Sequence, residues 1–217
     1  MKIDLKQPIL DKNDRLAADN RALFKEKGVF VLDLLASPGS GKTSTILATI
    51  EALRDEYNIA VIEGDIASNV DAARISAQGI AAVQINTGGA CHLESDMIRR
   101  AVDALDLDNL DLIIVENVGN LVCPTDFDLG EGAKVMILSV PEGDDKPLKY
   151  PHIFAEADVC VINKTDLAPY LNTDIETLKS NALKVNHHLQ VFEVSATKGD
   201  GMDAWCDWLC SECAKCK

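Results

Sequence analysis

Short apolar runs alternate with longer stretches of helical period along most of the chain. Val29–Leu35, Asn58–Glu63, Ala81–Ile85, Leu110–Glu116, Lys134–Val140, Asp158–Asn163 and Leu189–Val194 read as strands, and several are apolar at consecutive positions. That is the pattern of parallel strands covered on both faces, not of a sheet with one side in water. Helical periodicity fills Lys12–Lys27, Thr43–Asp55, Val70–Gln78, His92–Leu105, roughly Tyr150–Ala157, Asp174–Asn186 and Met202–Cys213. The alternation predicts a three-layer α/β fold, a mostly parallel sheet with helices on both faces. No repeat, low-complexity tract or flexible linker interrupts it, so residues 1–217 are expected to form one domain, with 1–28 as a helical extension and 206–217 as a Cys-rich end. Val118–Gly132 and Pro141–Pro151 are the irregular stretches, and a long loop in a compact domain is more often functional than idle.

Composition narrows the partners. Lys and Arg total 21 against 35 Asp and Glu, a net charge of −14. Nucleic acid and anionic membrane both reward a basic surface, so neither is expected as a partner. No apolar stretch approaches membrane-span length, and the polar opening Met1–Lys6 lacks a signal-peptide core, so a cytoplasmic location is expected. Seven cysteines in such a compartment read as thiols or metal ligands, not bridges.

The strand at Val29–Leu35 runs into Ala36-Ser37-Pro38-Gly39-Ser40-Gly41-Lys42-Thr43-Ser44, the strand–loop–helix setting of a phosphate-binding loop, with Ala36 at the usual first glycine. Gly39 and Gly41 let the backbone around Ser40 curl so that successive N–H groups face phosphate oxygens, and the helix N-terminus adds unpaired donors. Lys42 would contact the β- and γ-phosphates, and the Thr43 hydroxyl would ligate Mg²⁺. Backbone amides and one lysine thus suffice to hold a triphosphate inside an acidic protein.

Asn163-Lys164-Thr165-Asp166 follows the sixth strand with the spacing of a guanine-binding motif. Asp166 can accept the guanine N1–H and N2–H together, a pair that adenine lacks, while Asn163 braces the loop and reaches the base edge and the Lys164 stem covers the ring. After the last strand, the Ala196 N–H in Ser195-Ala196 would donate to guanine O6, although an ordinary turn has the same composition. Asp65 and Glu116 each end or follow an apolar strand at the same sheet edge, a suitable carboxylate supply for Mg²⁺; Asp65 has the alternative role of orienting the attacking water. Lys42, Asp65 and Glu116 are the expected catalytic residues.

Cys91-His92, expected at the start of a helix whose positive end favours a thiolate, pairs a soft donor with an imidazole. Cys123 lies seven residues beyond Glu116, on the loop placed to respond to the γ-phosphate. Such donors select Zn²⁺, Ni²⁺ or Cu over Mg²⁺, and two chains related by a twofold axis can pool them; a buried Cys beside a surface His is the plainer reading. Cys160, in mid-strand, is expected in the core. Cys206, Cys210 and Cys213 share a helical face, and Cys216 would complete a four-thiolate set if the end unwinds, or else the four serve as small apolar residues.

In order, Ser37 through Thr43, Glu63-Gly64-Asp65, Cys91-His92-Leu93, Glu116 through Pro124 and Asn163 through Asp166 closely resemble the hydrogenase nickel-incorporation GTPase family, HypB, from about Asn13 to Trp208. Glu142 through Pro151 also looks like the family segment after its central strand. The resemblance implies a SIMIBI-class P-loop GTPase that forms a homodimer, hydrolyses GTP and helps deliver nickel to the large-subunit precursor of nickel-iron hydrogenase, with the small zinc-containing chaperone HypA as partner. It also implies that Cys91, His92 and Cys123 bind nickel or zinc at the dimer interface. The urease nickel GTPase is a close relative but carries Cys-Pro-His where this chain has Cys-His-Leu. Residues 1–28 hold neither a Cys-rich nickel motif nor a His-rich stretch, so nickel storage is not expected. Service to urease, or a GTP-gated metal-binding dimerisation switch with incidental hydrolysis, remain the other readings.

Overall fold

The computed structural model describes residues 6–65 and 75–217, so most of the helix expected over 70–78 lies outside the described residues. The strands are β1 (Phe30–Ala36), β2 (Ile59–Asp65), β3 (Ala81–Asn86), β4 (Leu112–Glu116), β5 (Ala133–Ser139), β6 (Val159–Asn163) and β7 (Gln190–Glu193). They form one sheet in the order β3-β2-β4-β1-β5-β6-β7, with every pairing parallel. Consecutive apolar residues arise because both faces are buried. Along β1, Phe30, Leu32, Leu34 and Ala36 pack toward α2 (Lys42–Leu53) and α7 (Met202–Cys216), where Trp205 and Leu209 fill the layer. Full burial of a side chain of that size contributes roughly 1.5–3 kcal/mol.

The opposite face divides. Val31, Ile62, Ile113 and Val115 meet Phe24 of α1 (Lys6–Lys27) and Ile98 of α3 (Ser95–Val102). Leu35, Met136, Leu138, Cys160 and Ile162 meet Ile153 and Phe154 of α5 (Pro151–Glu156) and Leu178 of α6 (Ile175–Val185). Cys160 is fully buried as expected, which pushes its thiol up to about 12. Among the described residues no helix is long and apolar enough to cross a membrane.

Several boundaries differ from the sequence reading, and the first helix begins at Lys6, six residues before the expected Lys12. The helix expected over Tyr150–Ala157 is α5, which Pro151 opens as its first helical residue, and a further short helix, α4 (Lys146–Lys149), precedes it in the stretch read as irregular. The last helix continues past Cys213 to Cys216. The helix expected from His92 begins at Ser95, since residue 94 is extended (φ −122°, ψ 158°) and the N–H groups of Leu93 and Ser95 donate to side chains from elsewhere, Asn117 and Asn13. In the sheet, β1 lies between β4 and β5, where the order reverses, and the crevice at its C-terminal end is the expected ligand position in open parallel sheets.

Candidate functional site

That crevice opens as a cavity of about 560 Å³ lined by Gly39, Gly41, Lys42, Thr43, Ser44, Asp65, Glu116 and Lys164, among others. The loop between β1 and α2 is held from outside. Asn163 Nδ2 donates to Ser40 O at 3.1 Å, Lys164 Nζ donates to Gly39 O at 2.6 Å, and Ser37 Oγ donates to Glu142 Oε1. Gly41 is the tightest point. Its φ is +100°, and a Cβ there would lie 2.4 Å from Asn163 Nδ2, so both conformation and space require glycine. The loop is therefore locked onto the motif at the end of β6, which joins the phosphate end of the cavity to the base end.

At the base end, Asn163 Oδ1 accepts from the N–H groups of Lys164 (2.8 Å) and Ala196 (3.2 Å). Asn163 braces the loops as expected, and the Ala196 N–H, expected at guanine O6, donates to Asn163 Oδ1 in this structure. Lys164, at φ 62°, is the one non-glycine residue with positive φ among the described residues, and its N–H bond to Asn163 offsets that strain. Ser195 Oγ donates to Asp166 Oδ1 at 2.7 Å, orienting the carboxylate while leaving it acceptor capacity for a base.

Thr43 Oγ1 donates to Glu116 Oε1 at 2.9 Å, and Asp65 stands in the same cavity wall. A hydroxyl and two carboxylates beside a phosphate cradle suit a hard dication such as Mg²⁺, which takes oxygen donors and keeps waters. Glu116 is buried, so an opposing charge is the natural complement to it.

The loop that begins at Glu116 leads to the thiols. Asn120 Nδ2 donates to Cys91 O at 3.2 Å, and Asn120 Oδ1 accepts from Val122 N, so one amide fastens the Cys91 segment to the approach to Cys123. Cys91 Sγ lies 3.8 Å from His92 Nδ1. A tetrahedral ion at about 2.3 Å from sulfur and about 2.0 Å from nitrogen would separate those donors by roughly 3.5 Å, so the pair is close to a chelating spacing. The dipole argument fails, however: Cys91 precedes the helix by four residues, and its thiol pKa is raised, first by hydrogen bonding with Cys123 and then by burial. Among the described residues no three His, Cys, Asp or Glu side chains converge as a metal-holding group. One chain alone does not present a closed set.

The four-thiolate expectation at the C-terminus is also corrected. The helix does not unwind; Cys206 and Cys213 are buried against the core, which lifts their thiols to about 11 and about 12, and Cys216 Sγ donates to Glu212 O within the helix. Cys210 packs on the same core from its edge.

Several contributors escaped the sequence reading. Glu142 anchors Ser37, and its signal was available in the capping box Ser139-Val140-Pro141-Glu142. Asn117 and Asp33 form a buried pair at 3.0 Å, announced only by an acid in an otherwise apolar strand. Phe127 stacks on His92 with ring centres 3.9 Å apart, and a separation of 35 positions in the sequence gives no hint of it.

Residues 31–193 match the family model described as CobW/HypB/UreG, nucleotide-binding domain. The protein named hydrogenase maturation factor HypB from Escherichia coli K12 is 51% identical over 207 residues, covering 95% of this chain and 71% of that one. The crystal structure of hydrogenase maturation factor HypB from Archaeoglobus fulgidus superposes with a TM-score of 0.88 at 40% identity, covering 94% of this chain and 99% of that one. That of HypB from Helicobacter pylori in complex with nickel gives 0.89 at 38%, covering 94% and 96%.

Proposed function

The chain belongs to the CobW/HypB/UreG nucleotide-binding family, on its HypB branch, and on that premise we propose that it is a GTP-hydrolysing metallochaperone which carries nickel to the large-subunit precursor of nickel-iron hydrogenase. One observation carries the coupling of nucleotide to metal. A single loop holds Glu116 against Thr43 at its start, Asn120 against Cys91 midway, and Cys123 at its end. A change at the γ-phosphate end of that loop is thereby transmitted to the thiol end.

In this reading the amides around Gly39–Ser44 and Lys42 hold the phosphates, and Asp166, set by Ser195, selects guanine. Thr43, Asp65 and Glu116 would hold Mg²⁺, which when bound neutralises charge on the phosphate oxygens. No arginine lies in the phosphate loop or from Glu116 to Pro124, which fits slow unaided turnover of about 10⁻⁴–10⁻² per second. Cys91, His92 and Cys123 take the cargo ion, Ni²⁺ or Zn²⁺, and a second copy of the chain supplies the donors that one copy lacks. The nickel-complexed relative supports nickel as the cargo. Because the Cys91 thiol is held protonated, loading releases protons and metal affinity should rise with pH. A zinc-containing chaperone of the HypA kind is the expected partner, and the cytoplasm the expected compartment.

The test separates the two halves. Lys42→Ala should cut GTP turnover by about 10²–10³-fold, whereas Cys91→Ala and Cys123→Ala should weaken Ni²⁺ binding and spare guanine-nucleotide affinity. Unchanged turnover in the first, or unchanged nickel affinity in the others, refutes the corresponding assignment.

A further inference from the structure

Helix α1 contributes no residue to the phosphate cavity and none to the thiol set, yet its buried polar residues bind both segments that carry the thiols. Asn13 and Asn20 are seven residues apart, two turns along one face, and both are buried. Asn13 Oδ1 accepts from Ser95 N at 2.9 Å while its Nδ2 donates to Asp128 O at 2.7 Å. Asn20 Nδ2 donates to Ser95 O at 3.0 Å and to Leu129 O at 3.1 Å. Each asparagine therefore bridges the same two stretches of backbone. Ser95 Oγ bolts them directly by donating to Asp128 O at 2.6 Å.

Those stretches adjoin the donors. Ser95 is four residues after Cys91, and Asp128 is five after Cys123 and next to Phe127, which stacks on His92. From the solvent side Arg21 grips the Asp128 carboxylate with two bonds, 2.7 and 2.9 Å. The turn is pressed onto the helix itself: Gly130 has φ +88°, and a Cβ there would come within 2.6 Å of Ala17 O. None of these bonds reaches a residue that lines the phosphate cavity.

We infer that α1 is the template for the thiol site, with Asn13 and Asn20 as positioning residues that set the spacing of Cys91 and His92 relative to Cys123. The inference rests on the nickel reading of that site. Two short loops joined by few contacts would otherwise drift, and a metal tolerates donor displacements of only a few tenths of an ångström. A buried amide with both partners fixed removes that freedom, because parting the segments costs Ser95 N and Leu129 O the bonds that Asn13 and Asn20 give them.

The experiment titrates full-length wild type and variants with Ni²⁺ against a competing chelator, records the visible spectrum of the Co²⁺ complex, and measures guanine-nucleotide affinity on the same samples. Asn20→Ala should weaken Ni²⁺ by about 10–100-fold and alter the Co²⁺ spectrum, with nucleotide affinity held. Arg21→Ala, a solvent-facing change on the same turn that does not threaten the fold, should weaken Ni²⁺ severalfold and carries the test if Asn20→Ala does not fold. The inference is overturned if wild type binds Ni²⁺ and the folded variants match it in affinity and spectrum, or if nickel and nucleotide affinity fall together as for a general loss of structure. A wild type that fails to bind Ni²⁺ overturns the nickel reading itself, and the inference with it.

Discussion

The loop from Glu116 to Cys123 touches the phosphate cradle at one end and the thiol site at the other, and the two are built in opposite ways. The cradle is a single run from Ser37 to Ser44, shaped by glycine backbone and locked by side chains of the Asn163 motif. The thiol site joins two segments about 30 residues apart, and its order comes from amides on Asn120, Asn13 and Asn20 and from one aromatic stack. Local backbone makes a rigid receptor for a ligand that is always the same. Remote side-chain struts instead fix two separate segments against each other, so the relative placement of the thiols depends on residues far from them in the chain.

The sharpest way to break this contrast is Gly41→Ala. The added methyl meets both an unfavourable φ of +100° and Asn163 Nδ2 at 2.4 Å, so the loop must reopen or the brace must go. Binding of a fluorescent GTP analogue is expected to fall by about 100-fold or more, on the scale of losing preorganised phosphate donors. Nickel affinity in the nucleotide-free protein should stay close to wild type. A parallel loss of nickel affinity would mean that the two ends are one unit.

The same contrast explains what could be read in advance. The parallel sheet, the cradle and the Asn163 motif are written as contiguous residues whose spacing has one physical use, and they appear where the pattern placed them. The conformation around Cys91 was misread as a helix start because the groups that hold it extended, Asn117 and Asn13, stand 24 and 82 residues away from their partners. Phe127 and the two asparagines of α1 were silent for the same reason. An asparagine on a helix reads as a solvated residue until the backbone it bridges is in place.

The two regions meet at Asn117, which donates to Asp33 from its amide nitrogen and accepts from Leu93 N and Val118 N at its oxygen. Asp33 is completely buried, and burial first, with Glu131 nearby second, pushes its carboxyl up to about 8. Its folded pKa thus lies above the unfolded value near 4, and the folded chain holds an extra proton between those limits. That stabilisation is complete below about pH 4 and is lost as pH rises toward 8, by at most about 1.4 kcal/mol per pH unit. Asp33→Asn keeps a neutral group there, so thermal unfolding from pH 5 to pH 8 should show a shallower decline than wild type. Identical slopes would mean that Asp33 is ionised in the folded protein and that the junction is held by charge.

The smallest effect is expected at the third group of thiols, on the C-terminal helix. Cys210 and Cys216 lie at the partly exposed edge of α7, in an intact helix whose other two cysteines face the core with thiols held well above neutral pH. A metal needs thiolates that converge, and a continuous helix keeps Cys213 packed inward. Replacing both Cys210 and Cys216 by Ser should therefore leave nickel stoichiometry and affinity unchanged and shift unfolding by about 1 kcal/mol or less, as for changes at a partly exposed position. Metal titration by calorimetry reads both quantities. A fall in stoichiometry with Cys91 and Cys123 intact would place a second ion on α7, and the contrast between a backbone-built and a strut-built site would then have to include one carried on a single helix.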